Sequence, residues 1–340
     1  MKKVKPAHRE PTLADVAAEA GVALTTVSRV LNNRGYLSKE TKEKVAAAIE
    51  KLGYRPNQVA RALHGKATQT IGLIVPSVAL PFFGELAVHI ENALAEHGYR
   101  ILICNSLGNA ERERSYLNLL VGNRVDGLIS GAHNEHLEEY GTIRMPLVTI
   151  DRQLAPHVPN VRCDNESGGR QATALLLESG AKRPALLTSR SGKHNLRERG
   201  YRAVLAEAGV EPVVLTVDFH TPAGQRQAAV NAQLDSVRGQ VDAVFATDDL
   251  AAAEVLEWAR LRGIEVPGEL KVVGFDGTTA LRRALPGLTT VAQPLQAIAQ
   301  SAVEILLEQI RTRADKRANS TKVTLPAIEL PVTLVRGWTA

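Results

Sequence analysis

Residues 12–32 read "TLADVAAEAGVALTTVSRVLN". Thr12, followed three residues later by Asp15, is the start signal of a capped helix, and Leu13, Val16, Ala17 and Ala20 then fall on one face. Gly21 breaks that helix. A second is expected from about Leu24 to Asn32, with Val27, Val30 and Leu31 available for burial. A third begins at Ser38 and carries Val45, Ala48, Ile49 and Leu52 inward until Gly53 stops it. Two helices joined by a glycine-containing turn, the second polar on its outer face, form the helix-turn-helix pattern. On that second helix Leu24, Thr25, Ser28 and Arg29 share a face. Their chemistry suits a major groove: Arg29 offers two parallel donors to a guanine, Leu24 meets a thymine methyl, and the hydroxyls reach bases or phosphates. The rival reading of the same pattern is a solvated helical hairpin.

Charge sharpens the choice. The chain has 340 residues and a formal net charge of +5. Residues 1–70 hold 13 Lys+Arg against 6 Asp+Glu, and the remainder holds 28 against 30. A basic end on a neutral body points to a polyanion partner for that end alone. No apolar run approaches the roughly 20 residues of a membrane-spanning helix, and the first residues are polar, so a cytoplasmic, nucleoid-associated protein with no membrane contact is expected. Cys104 and Cys163 sit in apolar runs without CxxC spacing and read as buried thiols.

From Thr70 the texture changes to strand, helix, strand. Apolar runs such as "IGLIV", "RILIC", "VDGLIS", "VDAVFATD" and "LKVVGFD" alternate with helical stretches, which indicates parallel sheets covered on both faces. "RVDGLISG" near residue 124 and "QVDAVFAT" near residue 240 echo each other, as two similar doubly wound halves would. The strand ends carry Ser77, Asp151, Thr247, Asp248 and Asp276. A carboxylate there accepts hydroxyl hydrogen bonds from a polar ligand, although each also suits a helix cap. No phosphate loop, dinucleotide fingerprint or nucleophile elbow occurs. His133 and His136 in "HNEH" read as solvated rather than as metal ligands, so neither metal nor cofactor is expected.

The stretch 12–32 closely resembles the DNA-binding signature of the lactose-repressor/galactose-repressor (LacI/GalR) family of bacterial transcription regulators. It departs at Ala23, where the family usually has a capping serine, a difference of about 0.5–2 kcal/mol in helix stability. The resemblance places Leu24, Thr25 and Arg29 at bases, Thr26, Asn32 and Tyr36 near the backbone, and Thr12 and Ser28 in the same DNA-facing set. It makes "YRPNQVARALHGK" a hinge helix that supplies Asn57, Ala60 and the minor-groove wedge Leu63.

Over residues 70–340 the chain resembles that family's core, which is type I periplasmic-binding-protein-like: an α/β pair of doubly wound parallel-sheet subdomains behind an all-α head. The implied divisions are a head at 1–54, a hinge at 55–69, an N-subdomain at about 70–162 and 294–322, and a C-subdomain at about 163–290 and 323–340. The implied effector contacts are Ser77, Phe82, Phe83, Asp151, Asp164, Arg197, Thr247, Asp248, Asp276 and Gln293. Arg152, standing where some members carry an aromatic, argues against a flat purine. "VVGFDGT" and "LPGLTTVAQPL" are similar to members that answer to pentoses or fructosides. The expected protein is a homodimeric repressor that binds palindromic operator DNA and releases it when a sugar-like effector binds between the subdomains. A repressor with a nucleobase or nucleoside corepressor is the alternative. A sugar-modifying enzyme lacks any recognisable nucleophile, base or cofactor motif.

Overall fold

A computed structural model describes residues 11–31, 35–54, 67–134, 137–314 and 327–340. They fall into two compact units that divide after Thr68.

The first unit is built on three helices: α1 (Leu13–Ala20), α2 (Leu24–Leu31) and α3 (Lys39–Leu52). Thr12 and Asp15 form the reciprocal cap anticipated from their spacing, and Gly21 closes α1 in the left-handed conformation. Ser38 caps α3 through the Thr41 amide at 3.2 Å. Val16, Ala17, Val27, Val45 and Ala48 make the centre of a small core, with Leu13, Val30, Leu31, Ile49 and Leu52 around it. The inward positions read from helical periodicity are therefore the ones that pack.

The second unit contains two six-stranded sheets. The first comprises β1 (Thr70–Val75), β2 (Arg100–Asn105), β3 (Gly127–Ser130), β4 (Leu147–Ile150), β5 (Asn160–Cys163) and β11 (Ile328–Leu330). The second comprises β6 (Pro184–Thr188), β7 (Val213–Thr216), β8 (Ala243–Ala246), β9 (Lys271–Asp276), β10 (Thr289–Ala292) and β12 (Thr333–Val335). Their orders, β2-β1-β3-β4-β5-β11 and β7-β6-β8-β9-β10-β12, are the same doubly wound pattern. All pairings are parallel except β10 with β12.

The covering helices are α4 (Pro81–Ala95), α5 (Ala110–Gly122), α6 (Glu139–Thr142), α7 (Asn165–Glu178), α8 (Leu196–Ala208), α9 (Ala223–Ser236), α10 (Asp249–Leu261), α11 (Thr279–Ala284) and α12 (Leu295–Ala314). The sequence echo has a structural cause. β3 and β8 occupy the same place in their sheets, and the aspartate before each ties down the chain entering the first strand of its half. Asp126 accepts the Gln69 amide at 2.7 Å, and Asp242 accepts those of Lys182 and Arg183 at 2.9 and 2.8 Å.

The chain passes between the lobes three times: after β5, between β10 and α12, and between β11 and β12. The return to the second lobe expected at residue 323 comes later, because Ile328–Leu330 pairs with β5 in the first sheet. Three residues without helical periodicity gave no hint of which sheet edge they would join.

Candidate ligand cleft and nucleic-acid interface

Strand order reverses beside β1 in the first lobe and beside β6 in the second, and crevices open at such points beyond the carboxyl ends of the strands. Ser77, His133, Ser189 and Thr247, which follow β1, β3, β6 and β8, all line one cleft of about 1310 Å³. That exceeds the ~300–1,000 Å³ of an ordinary small-molecule pocket, so one sugar ring does not fill it.

Arg197, in the first turn of α8, organises the second lobe's side of the cleft. Its Nε donates to Asn165 Oδ1 at 2.7 Å, its Nη1 donates to the Thr247 carbonyl, and Nη1 lies 3.4 Å from Asp276 Oδ1. Its guanidinium also stacks on Phe275, 3.7 Å from the ring centroid. Close packing of two helices puts it there. A Cβ at Gly169 on α7 would collide with the Arg197 carbonyl, and one at Gly200 on α8 would collide with that of Glu166, so only glycines let these backbones touch.

Asp151 and Asp276 both have left-handed backbones, with φ of 64° and 103°. Such conformations cost about 1–3 kcal/mol each and persist where the surroundings enforce them. At Asp276 the enforcement is visible: Gln293 N donates to its carbonyl at 3.0 Å, Gln293 Nε2 donates to Oδ1 at 2.8 Å, and Gly277 N donates to the buried Asp249 at 2.8 Å. The two carboxylates differ electrostatically. Burial pushes Asp276 well above the usual carboxylate range, with Asp249 and Asp248 adding to the effect and Arg197 offsetting only part of it. Burial opposes ionisation of Asp151 as well, but Arg197 and Arg152 outweigh it and hold its carboxyl low. One guanidinium serves two acids, and the charge of Asp276 is only partly compensated. Hydroxyl groups of a ligand would donate to it.

The first lobe presents rings. Phe82 meets Phe83 edge-on at 4.9 Å, Phe83 meets His133 at 5.5 Å, and His133 meets Phe219 of the second lobe at 4.7 Å. Burial, helped by Arg152, lowers the His133 imidazole to about 3, so it is neutral and packs as an aromatic. Two further contacts join the lobes. Glu85 on α4 accepts the Thr279 amide at 2.7 Å and its hydroxyl at 2.9 Å, and Gly108 lies so close to the His220 ring that a Cβ there would collide with it.

Of the expected contacts, Ser77, Phe82, Phe83, Asp151, Arg197, Thr247, Asp248 and Asp276 line the cleft. Asp164 and Gln293 do not. Asp164 caps α7, accepting the Ser167 amide at 2.9 Å, and Gln293 stands behind Asp276 as its donor. Asp248 lines the cleft and also caps α10 through the Ala251 amide at 2.8 Å. Sequence reading missed His133 as a ring, Phe219, Asn165 and Thr278. The last is 1% exposed, lines the cleft, and its hydroxyl has no hydrogen-bond partner among the described residues. The "VDFHT" that holds Phe219 was a usable signal, an aromatic at a strand end. Both cysteines are buried free thiols, and burial raises Cys163 to about 12.

On the head, Leu24, Thr25 and Arg29 are exposed on one side of α2 while Val27 is buried on the other. Thr26 and Ser28 are half-buried at the edges of that face, and Tyr36 is fully exposed just beyond the helix. An apolar leucine 49% exposed beside an arginine is a poor surface for water and a good one for base edges. Asn32, the hinge residues Asn57, Ala60 and Leu63, and His136 lie outside the described residues.

Residues 12–57 match the lacI family of bacterial regulatory proteins, and residues 173–332 match the periplasmic binding protein-like domain. The sucrose operon repressor of Pediococcus pentosaceus is 42% identical over 97% of this chain and 100% of its own length. The ribose operon repressor of Halalkalibacterium halodurans is 36% identical over 89% of this chain and 91% of its own. Among solved structures, the lac repressor dimer bound to operator and the anti-inducer ONPF is similar at a TM-score of 0.80, with 26% identity, 97% of this chain and 99% of that one covered.

Proposed function

Because the chain belongs to the lacI family of bacterial regulatory proteins and is a DNA-binding repressor rather than an enzyme, we propose how it is controlled. A homodimer grips a palindromic operator in the cytoplasm, and a sugar-like inducer bound between the two lobes of the core weakens that grip. The observation that carries the ligand half is the Arg197–Asp276 pair in a cleft that Phe82 and Phe83 also line. Carboxylate and guanidinium for hydroxyls, with ring faces for C–H surfaces, is the chemistry of sugar recognition.

Dimerisation is supported by the edge of the first sheet. β2 is an outer strand, yet its Leu102 and Ile103 are 45% and 43% exposed, and Leu119 and Val121 on α5 are also bare. An uncovered apolar edge strand invites pairing or aggregation, and a second copy of the chain would cover it. Two heads on a two-fold axis would then read two half-sites about one helical turn, or a multiple of it, apart. The lobe-to-lobe contacts at Glu85 and His133 give the ligand something to bias, with a coupling of about 1–3 kcal/mol. Pentoses and fructosides are the first effectors to try, since the relatives regulate ribose and sucrose operons.

The test is selection of binding sites from a randomised duplex pool, followed by fluorescence anisotropy on the winning site with and without sugars. A symmetric winner released by a sugar is expected. Absence of any symmetric preference, or affinity indifferent to every sugar and nucleoside tried, would defeat the reading. Arg29→Ala should cost about 1–3 kcal/mol at one base pair per half-site, and an equal loss on all sequences would mean that Arg29 reads no base.

A further inference from the structure

Seven lysines and arginines face the cleft against five carboxylates. Four of the arginines are matched: Arg197 to Asp276, Arg226 to Glu254, Arg162 to Glu329 and Arg199 to Glu166. Arg190 and Lys193 differ. They stand on the exposed loop 189–195, and among the described residues neither meets a carboxylate.

That loop is held firmly for an exposed one. Ser191 Oγ and the Gly192 amide both donate to the buried Glu198 at 2.9 Å, and Arg202 steadies the same carboxylate at 2.8 Å. Asn195 Nδ2 donates to the Arg190 carbonyl at 2.9 Å and to Thr188 Oγ1 at 3.0 Å, and its amide donates to the Gly192 carbonyl at 2.9 Å. Two unmatched cations thus project from a fixed backbone at the start of the 13-residue helix α8, whose N-terminal amides add partial positive charge. A neutral sugar brings no counter-charge to these two cations.

We propose that the ligand of this cleft is a phosphorylated sugar whose phosphate is held by Arg190 and Lys193 while Asp276 and Arg197 take its ring hydroxyls; the proposal rests on the cleft being the effector site. A phosphate monoester carries nearly two negative charges at neutral pH, which matches two cations better than a single carboxylate does. Arginine can grip its oxygens in pairs, and lysine serves it as a point charge. The volume beyond one ring gives the ester room.

The test is isothermal titration calorimetry on the full chain with fructose, sucrose and ribose, and with fructose 6-phosphate, sucrose 6-phosphate and ribose 5-phosphate. At least one ester should bind about tenfold more tightly than its parent sugar, and the advantage should shrink as salt rises. In Arg190→Gln/Lys193→Gln that advantage should disappear. Both side chains are exposed, so an unchanged melting temperature without ligand should confirm that the variant folds. A parent sugar binding as tightly as its ester, an ester advantage surviving the double substitution, or preference for gluconate over every ester would each overturn the proposal. If a neutral sugar releases the operator while phosphate adds nothing, only the phosphate assignment falls; if no sugar of either kind binds, the effector reading falls with it.

Discussion

The two lobes of the core share one strand order and almost nothing of their cleft chemistry. The first supplies Phe82, Phe83 and a neutral His133, with Asp151 as its carboxylate. The second supplies Arg197, Asp248 and Asp276, together with the basic loop at 190–193. Topology dictates where a site can form, at the reversal of strand order, but not what it binds. A wall that carries the rings facing a wall that carries the Arg197–Asp276 pair also gives a ligand reason to hold both together.

The contrast can be broken most severely at Arg197. Arg197→Ala removes the stack on Phe275 and the cation between Asp151 and Asp276, leaving buried acids uncompensated. A loss of about 3–5 kcal/mol of core stability is expected, read from urea unfolding; a loss below about 1 kcal/mol would show that the charged wall is not structurally coupled. Asp276→Ala should leave the fold closer to intact and weaken effector binding by about a hundredfold, near 3 kcal/mol, because several ligand hydroxyls lose their acceptor. Calorimetry showing less than about a threefold effect would remove Asp276 from the site.

A smaller effect belongs to the rim. Glu85→Ala deletes the acceptor of both Thr279 donors and should loosen closure by about 0.5–1.5 kcal/mol, seen as a several-fold drop in effector affinity with the first lobe's stability little changed. A pH effect comes from an acid buried in the cleft wall. Burial raises Asp249 to about 6 although Thr290 and Gly277 donate to it. Its folded form therefore binds a proton more readily than the unfolded chain, whose carboxylate titrates near ~3.9. The resulting contribution to stability is fully present below about pH 4 and is lost as pH rises through about 6. Asp249→Asn should flatten the core's stability profile in that window, and an unchanged profile would assign the slope to other acids.

How much could be read beforehand varied with the range of the interaction. The helix-turn-helix was legible because its signals are local: Thr12 with Asp15, Gly21, and the spacing of Val16, Val27 and Val45. The strand-end acids Asp151 and Asp276 were legible as positions. Their opposite titration was not, since it depends on charges that other elements bring up, with Arg152 joining Arg197 beside Asp151 while Asp248 and Asp249 work against Arg197 beside Asp276. Asp164 and Gln293 were placed among the contacts by the family resemblance, and only the tertiary structure shows Asp164 capping α7 and Gln293 donating to Asp276. His133 and Phe219 are 86 positions apart in number and meet edge-on only because the lobes face each other.

The sequence by itself determined the elements, their alternation and the basic character of one end, because hydrophobic periodicity, capping and charge count act over a few residues. Tertiary structure alone decided which sheet received Ile328–Leu330, which acids line the cleft and which cap helices, and which cations were left without a carboxylate. Those outcomes depend on distances between residues far apart in the chain, and burial in a low-dielectric interior gives such distances their energetic weight.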